Sequence, residues 1–486
     1  MDSLSKDSRI NIIGAGLFGL STALHLKCRG YSSVNVFDKQ PYDLSLYSYL
    51  NGADAASADL NKIVRSAYGT QVEYQELTFE AIDGWKKWND DLSSGVDIPP
   101  GMTKHDKVFY ACGNLSMTDS DTLPPFELAT IESMEQSGRP NTQLVTNNPD
   151  HVRIAESRGL GFALDPFRCR QKGKHNLGVL DSTGGMAMAD KACRFALHKA
   201  KRSGAQFILD PSAGGFLSFI TSSDGDVIGI VTKDGKKHPA DLTIMACGGW
   251  TPSLLPQLDG LCEATAGSVI MYKIPRTSPL WERTSPENFP TWLWKVRDGA
   301  EGGLYGFPRD DQGYLKLGYR GTKYTNPQRQ ADGKERSVPA TRWTEGAPVT
   351  QIPSQAMKIL KRFTHDYLPE LCEDGIDIAL TRVCWYTDTF DNHFLIDHVP
   401  GKNGLFVATG GSGHAFKYLP NIGKWVVDVL EGVGLDRPAI KAWRWRTLAD
   451  EKPANVLMEG TKSPKAIQNV SMTIDSDLRT RMIAKL

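Results

Sequence analysis

Residues Arg9–Asp38 read RINIIGAGLFGLSTALHLKCRGYSSVNVFD. Arg9–Ile13 is a short β-branched run of the kind that forms a buried parallel strand. It leads straight into Gly14-Ala15-Gly16-Leu17-Phe18-Gly19, a GxGxxG. Such glycines permit a tight turn, and bare backbone at the positive end of the next helix can hold a pyrophosphate. Leu20, Ala23, Leu24 and Leu26 carry a helical pattern that stops at Gly30. A second strand, Ser33–Phe37, ends in Asp38, where a carboxylate can accept hydrogen bonds from both ribose hydroxyls. A lone glycine motif would be weak, but strand, turn, helix, strand and acid stand here in register. They read as a dinucleotide site. Asp38 disfavours a 2′-phosphate, and with it NADP; FAD and NAD both stay open.

Working outward, the chain has 486 residues, enough to bury large cores without disulfides. Lys plus Arg (56) balances Asp plus Glu (56), so no long-range field attracts nucleic acid or an anionic membrane. No apolar stretch approaches the length of a bilayer span. The eight cysteines are scattered, without a CxxC pair or matching histidines, so neither a disulfide framework nor a metal site is expected. The N-terminus is too polar for a secretory signal. The end, Ala484-Lys485-Leu486, matches the Ser-Lys-Leu type of address that a peroxisomal import receptor reads. Peroxisomal residence is therefore expected, with the cytoplasm as the alternative.

An NAD dehydrogenase usually completes its nucleotide domain in one block. This chain returns to it twice, at LTIMACGGW (Leu242–Trp250) and at GLFVATGGSGHAFKYLP (Gly404–Pro420), where strand Leu405–Thr409 opens into a glycine loop and then a helix, Asn421–Leu430. Five ordered stretches follow one pattern: the glycine turn with its helix, ADLNKIVRSAY (Ala58–Tyr68), LKLGYR (Leu315–Arg320), RVCWYTDTFDNHFLID (Arg382–Asp397) and SGHAFK (Ser412–Lys417). Together they resemble the monomeric sarcosine oxidase and fructosyl amino acid oxidase (amadoriase) family of flavoproteins, up to about Leu430. Within it, they look most like fungal saccharopine-oxidase-type enzymes and fumisoquin-type amino acid oxidases of isoquinoline alkaloid pathways.

That resemblance implies FAD as cofactor and an oxidase of a secondary amine in an N-substituted amino acid. Hydride passes to the flavin, and molecular oxygen then yields hydrogen peroxide. The alternatives within the family are oxidative ring closure on an N-methyl aromatic amino acid and deglycation of a fructosyl amino acid. The contrary classes are an NAD-dependent dehydrogenase and a non-catalytic nucleotide-sensing scaffold. A monomer is the family default.

The resemblance also assigns residues. FAD contacts fall on Gly14, Ala15, Gly16, Leu17, Phe18 and Gly19, then on Asp38, Lys39, Ser57, Asn61 and Lys62, and late in the chain on Gly411, Ser412, Gly413 and Lys417. Cys384 matches the cysteine linked covalently to the flavin. Lys316 matches the lysine that activates oxygen, since a fixed cation stabilises a developing anion. Its apolar neighbours alternate with it, as on a strand; an edge lysine facing water is the plainer alternative. Arg65 and Lys417 match the pair that clamps the substrate carboxylate, for which a guanidinium fork is suited. Lys62 and Arg65, three apart, are expected to share one face of a helix. Tyr386 matches an active-site tyrosine on the face of Cys384, while His414 is expected to be structural. Arg320 stands where sarcosine oxidases carry histidine. It would serve a substrate with a second carboxylate, or be a salt-bridged wall residue.

The expected architecture is α/β (α+β): a Rossmann-like FAD domain (residues 1–84, 152–254 and 384–448) interleaved with a substrate domain on an antiparallel sheet (85–151 and 255–383), and a C-terminal extension, 449–486. Helix 190–203 belongs to the first. Segments Gly321–Ala347 and Glu451–Leu486 read as loop and tail.

Overall fold

The computed structural model describes residues 4–53, 55–295, 303–449 and 452–479; the Ala484-Lys485-Leu486 tail lies outside them. Apolar Ile10, Ile12, Val34 and Val36 alternate onto one core and build two adjacent parallel strands, Arg9–Ile13 and Ser33–Asp38. They belong to a six-stranded sheet whose order is Leu395–His398, Leu405–Thr409, Leu242–Met245, Arg9–Ile13, Ser33–Asp38 and Gln206–Leu209. Both expected returns of the chain are therefore present: Leu242–Met245 pairs with Arg9–Ile13, and Leu405–Thr409 pairs with Leu242–Met245. Parallel strands buried on both faces need helical cover. Helices Leu17–Cys28, Ala189–Arg202 and Ile422–Leu430 cover one face, the second of them expected from its amphipathic spacing, and strand Val227–Thr232 packs on the other.

A second core surrounds an eight-stranded sheet, ordered Ile378–Thr389, Cys262–Lys273, Tyr314–Tyr324, Leu304–Gly306, Thr291–Lys295, Asn114–Thr118, Leu177–Asp181 and Gln143–Val145. All its pairings are antiparallel except that of Thr291–Lys295 with Asn114–Thr118. Trp292, Trp294, Leu315, Leu317 and Tyr319 fill one side of it. The other side carries Lys316, Cys384 and Tyr386. Strand Leu177–Asp181, inside the segment 152–254 assigned to the FAD domain, hydrogen-bonds into this second sheet, and strand Ile378–Thr389 runs through the division placed at 384.

Three local expectations need correcting. Asn61–Val64 is a strand, not a helix: its backbone pairs antiparallel with Gly185–Met188, the state that β-branched Ile63 and Val64 prefer. Segment Gly321–Ala347 contains the end of strand Tyr314–Tyr324 and a hairpin, Pro327–Arg329 with Glu335–Ser337. Buried Arg336 anchors that hairpin through Asp259 at 2.6 Å, a partner too distant in the chain for local patterning to reveal. Residues 452–479 are irregular yet pinned down: Asn455 Nδ2 donates to Thr389 O at 2.7 Å, and Ser354 N donates to Ser471 O at 2.8 Å. Among the described residues, no helix is long and apolar enough to cross a membrane.

Candidate active site

Gly14 follows the first strand with φ +106°, and a Cβ there would lie 2.4 Å from Ala246 O. At Gly19 a Cβ would lie 1.8 Å from Gly14 O. Only glycine lets the turn fold this closely between the two strands. Helix Leu17–Cys28 begins at Gly16 without a capping side chain of its own; Ser57 Oγ accepts from Leu17 N at 2.9 Å. The helix start faces a cavity of about 320 Å³, with Gly14, Gly16, Leu17, Phe18 and Ser57 in its wall. Asp38 and Lys39 line one region of it. Asp38 accepts from Ala15 N at 2.7 Å and Gln40 N at 2.8 Å, while Lys39 lies 4.4 Å over the Trp250 ring. Lys62, Tyr386, Gly411 and Gly413 also line it. Ala15, Gly19, Asn61, Cys384, Ser412, Lys316 and Lys417 are not among its lining residues. The Ser412 hydroxyl is committed to Thr389 and the Gly410 carbonyl.

The exposed-edge reading of Lys316 fails, because its strand is interior to the sheet and the residue is 1% exposed. Its ammonium donates to Asp59 Oδ2 at 2.9 Å and to Asn61 O at 2.6 Å. Burial lowers its pKa to about 8, although Asp59 opposes that shift. Burial favours protonation of Asp59, but Lys316, Lys62 and Arg382 override it and hold the carboxylate ionised far below its usual range. Beside this group Asn61 is fully buried, and neither of its side-chain amide atoms has a partner.

Strand register gathers further groups on this side of the sheet. Cys384 faces Gly267, Tyr386 faces Thr265, Lys316 faces Met271 and Tyr305 faces Gly318. Cys384 is 2% exposed among Leu60, Val269 and Met271. The missing side chain at Gly318 leaves room for the Tyr305 ring, whose Cζ would lie 2.1 Å from a Cβ. Tyr305 and Tyr386 hydroxyls are thereby 3.3 Å apart. Arg320 is a salt-bridged wall residue: it donates to Asp388 at 2.7 Å and lies 4.3 Å over the Tyr386 ring.

Arg65 and Lys417 do come together. Both lie against the Tyr68 ring, at 5.3 and 4.5 Å from its centroid. Lys417 Nζ donates to Tyr68 Oη at 2.8 Å, and Arg65 donates to the Ala67 carbonyl. Among the described residues neither is paired with a carboxylate. Burial, then the Arg65 charge, pushes the Lys417 pKa well down. His414 is a satisfied structural histidine: its Nδ1 meets Tyr68 Oη at 2.8 Å, its Nε2 meets Asn392 O at 3.0 Å, and burial lowers its pKa to about 3.

Residues 9–429 match the FAD dependent oxidoreductase family. The chain belongs to that family. The oxidoreductase is 28% identical to the L-saccharopine oxidase of Schizosaccharomyces pombe, over 96% of this chain and 99% of that protein. It is 27% identical to the amino acid oxidase imqH of Aspergillus flavus, over 87% and 92%. Among solved structures it is similar to fructosamine oxidase (Amadoriase II) of Aspergillus fumigatus, with a TM-score of 0.68 and 26% identity over 91% of each chain.

Its cofactor is FAD, and the residues present fit that group. The glycine turn offers bare backbone at a helix start, Asp38 stands at the end of the second strand, and Asn61 offers a buried donor and acceptor without protein partners. The separation of Lys62 from Arg65 is the main departure from expectation within the oxidoreductase's site. Strand alternation sends Lys62 to Asp59 at 2.7 Å and to the first cavity, while Arg65, just past the strand, goes to Tyr68. Asp59 and Tyr305 were not anticipated. Asp59 sits in the quoted ADLNKIV stretch, where a buried acid three residues before a lysine was the available signal; Tyr305 had none.

Proposed function

We propose that this oxidoreductase oxidises the secondary amine of an N-substituted amino acid, with molecular oxygen as the electron acceptor and hydrogen peroxide as product. The observation that carries the reading is the pair Arg65 and Lys417, two basic side chains that meet at Tyr68 with no ion-paired carboxylate among the described residues. A guanidinium and an amine brought together without an ion-paired partner suit an anionic ligand group, whose charge would also favour the protonated form that burial and Arg65 oppose at Lys417. An amino acid carboxylate supplies it and also sets where the neighbouring amine carbon lies. The L-saccharopine oxidase and amino acid oxidase relatives support that substrate class.

FAD, when bound, supplies the hydride acceptor. Asn61 and Lys62 would hold it on one side, with the glycine turn, Asp38, Gly411 and Gly413 along its length. Cys384, on the strand beside Tyr386, would carry it covalently. Lys316 holds a positive charge against Asp59 where reduction of oxygen needs one. Tyr305 and Tyr386 form a wall of two hydroxyls that orients the substrate. His414 is held neutral, because burial lowers its pKa to about 3 and both ring nitrogens have partners in Tyr68 and Asn392. Hydride transfer requires an unprotonated amine, so turnover should rise with pH through the substrate's own ionisation.

Acid precipitation of the purified protein, with peroxide release assayed on a panel of N-alkyl amino acids, tests both parts. Yellow colour is expected in the pellet, and in the supernatant for Cys384→Ser. Colour in the wild-type supernatant would end the covalent assignment, and no peroxide from any N-alkyl amino acid would end the substrate class.

A further inference from the structure

Strand Ile378–Thr389 carries Tyr386 and, two residues on, Asp388, so period-two alternation puts both on the side of the sheet that holds the candidate site. Asp388 is fully buried, and both its oxygens are used. Oδ1 accepts from Arg320 Nη2 at 2.7 Å, and Oδ2 accepts from Thr265 Oγ1 at 2.6 Å with Lys323 Nζ 3.1 Å away. Lys323 also donates to Asn455 of the C-terminal segment. Burial favours the protonated form of Asp388, but Arg320 and Lys323 outweigh it and hold the carboxylate ionised below its usual range.

The Arg320 guanidinium is aimed by these contacts. Its Nη1 donates to Ser412 O at 3.3 Å, its Nε is buried without a partner, and Asp388 is its ion-pair partner among the described residues. At Gly413 a Cβ would lie 2.0 Å from Arg320 Nη1, so the guanidinium rests on bare loop backbone. Its carbon stands 4.3 Å over the Tyr386 ring. A second cavity, of about 330 Å³, has Arg65 and Glu127 in its wall. Arg320 lines neither cavity, while Tyr386 lines the first, so the guanidinium acts on the site through that ring. A cation over an aromatic face is attracted to it and holds the ring plane; its charge also favours the phenolate, which makes the hydroxyl a stronger donor.

We propose that Asp388 is a positioning residue of the amine oxidation: it holds the Arg320 guanidinium over Tyr386, and the cation fixes that ring and strengthens its hydroxyl as a hydrogen-bond donor. The inference rests on the amine oxidase reading, in which Tyr305 and Tyr386 orient the substrate, and adds the two charged residues behind them.

The test is a mutant cycle of Arg320→Met and Asp388→Asn on the FAD holoenzyme, with fluorotyrosine in place of tyrosine. The Tyr386 fluorine NMR resonance is identified by its loss in Tyr386→Phe. Each single variant should move that resonance in the same direction. Each should also lower kcat/KM about tenfold for the N-alkyl amino acid that releases peroxide fastest, the scale of a desolvated cation over a ring. The double variant should match Arg320→Met in both readouts, because Asp388 acts through Arg320. Lys323→Met, which keeps the Arg320–Asp388 pair, should lower the melting temperature and leave the resonance and kcat/KM as in wild type. An unmoved resonance in either single variant, an extra loss when Asp388→Asn is added to Arg320→Met, or losses of the same size in Lys323→Met would overturn the proposal. Should Asp388→Asn fail to fold, the cycle is run in the Lys323→Met background, which strands one cation fewer. If no N-alkyl amino acid releases peroxide while the resonances move as expected, the Arg320–Tyr386 arrangement stands and the amine oxidase reading falls.

Discussion

Lys316 shows how one buried side chain can be set by its surroundings. Desolvation brings its pKa from 10.5 to about 8, with Asp59 resisting. Between those values the unfolded chain holds more protons than the folded one, so this group's contribution to stability grows as pH rises from about 8 to 10.5. The cation is lost over the same range. The oxygen-dependent half of turnover should therefore slow as pH rises through about 8, and Lys316→Met should be slow at every pH with that inflection gone. Stopped-flow mixing of the reduced enzyme with oxygen reads both. An inflection retained in the variant would remove Lys316 from the oxygen step. The residue was legible in the chain as an alternating lysine of a strand. Its counterion was not, because Asp59 lies 257 positions away and meets it only through the sheets.

At the scale of the element, the eight-stranded sheet works as a surface with deliberate gaps. Gly318 and Gly267 lack side chains where the Tyr305 ring and the Tyr386 hydroxyl approach, the latter 3.1 Å from the Cβ that Gly267 does not have. Period-two alternation assigns Lys316, Gly318 and Arg320 to one side and Leu315, Leu317 and Tyr319 to the core, so polar function and packing share a single strand. Gly318→Ala should displace Tyr305, because the added carbon would stand 2.1 Å from its Cζ and the ring is held by the sheet beneath it. The expected result is a fall of about tenfold or more in kcat/KM with FAD content unchanged, the scale of one misplaced orienting group. Unaltered kinetics would show that Tyr305 does not shape the substrate site. The strand Asn61–Val64 teaches the complementary lesson. Its two cations were expected side by side on a helix, yet pairing with Gly185–Met188 sends them to different cavities.

Across the whole molecule, Asp59 ties the segment that follows the nucleotide turn to the eight-stranded sheet. It reaches Lys316 at 2.9 Å and Arg382 at 3.4 Å on two strands of that sheet, and Lys62 at 2.7 Å on its own segment. Removing one partner of a buried charge network typically costs about 3–5 kcal/mol, because the remaining charges lose their counterion. Asp59→Asn should lower the melting temperature by several degrees in calorimetry, and an unchanged transition would show that the cluster does not join the two sheets energetically. The first cavity opens at the ends of the six-stranded sheet and touches strand Ile378–Thr389, while the second lies on the eight-stranded sheet, so Arg65 and Lys62 from one short segment reach both.

Local information was sufficient for the nucleotide turn. A β-branched run, three glycines, an apolar helical stripe and an acid act within thirty consecutive residues, and steric and periodic constraints at that range survive any tertiary context. It was also sufficient for the returning strands Leu242–Met245 and Leu405–Thr409, whose buried, uninterrupted apolar character is visible residue by residue. Tertiary structure alone decided which charges are paired and which are bare. Lys316 has Asp59 and Arg320 has Asp388, while Arg65 and Lys417 meet at Tyr68 without an ion-paired carboxylate among the described residues and Glu127 keeps one oxygen free. Those outcomes depend on strand register and on packing between segments hundreds of residues apart, and a charge carries no local signature of the partner it will meet.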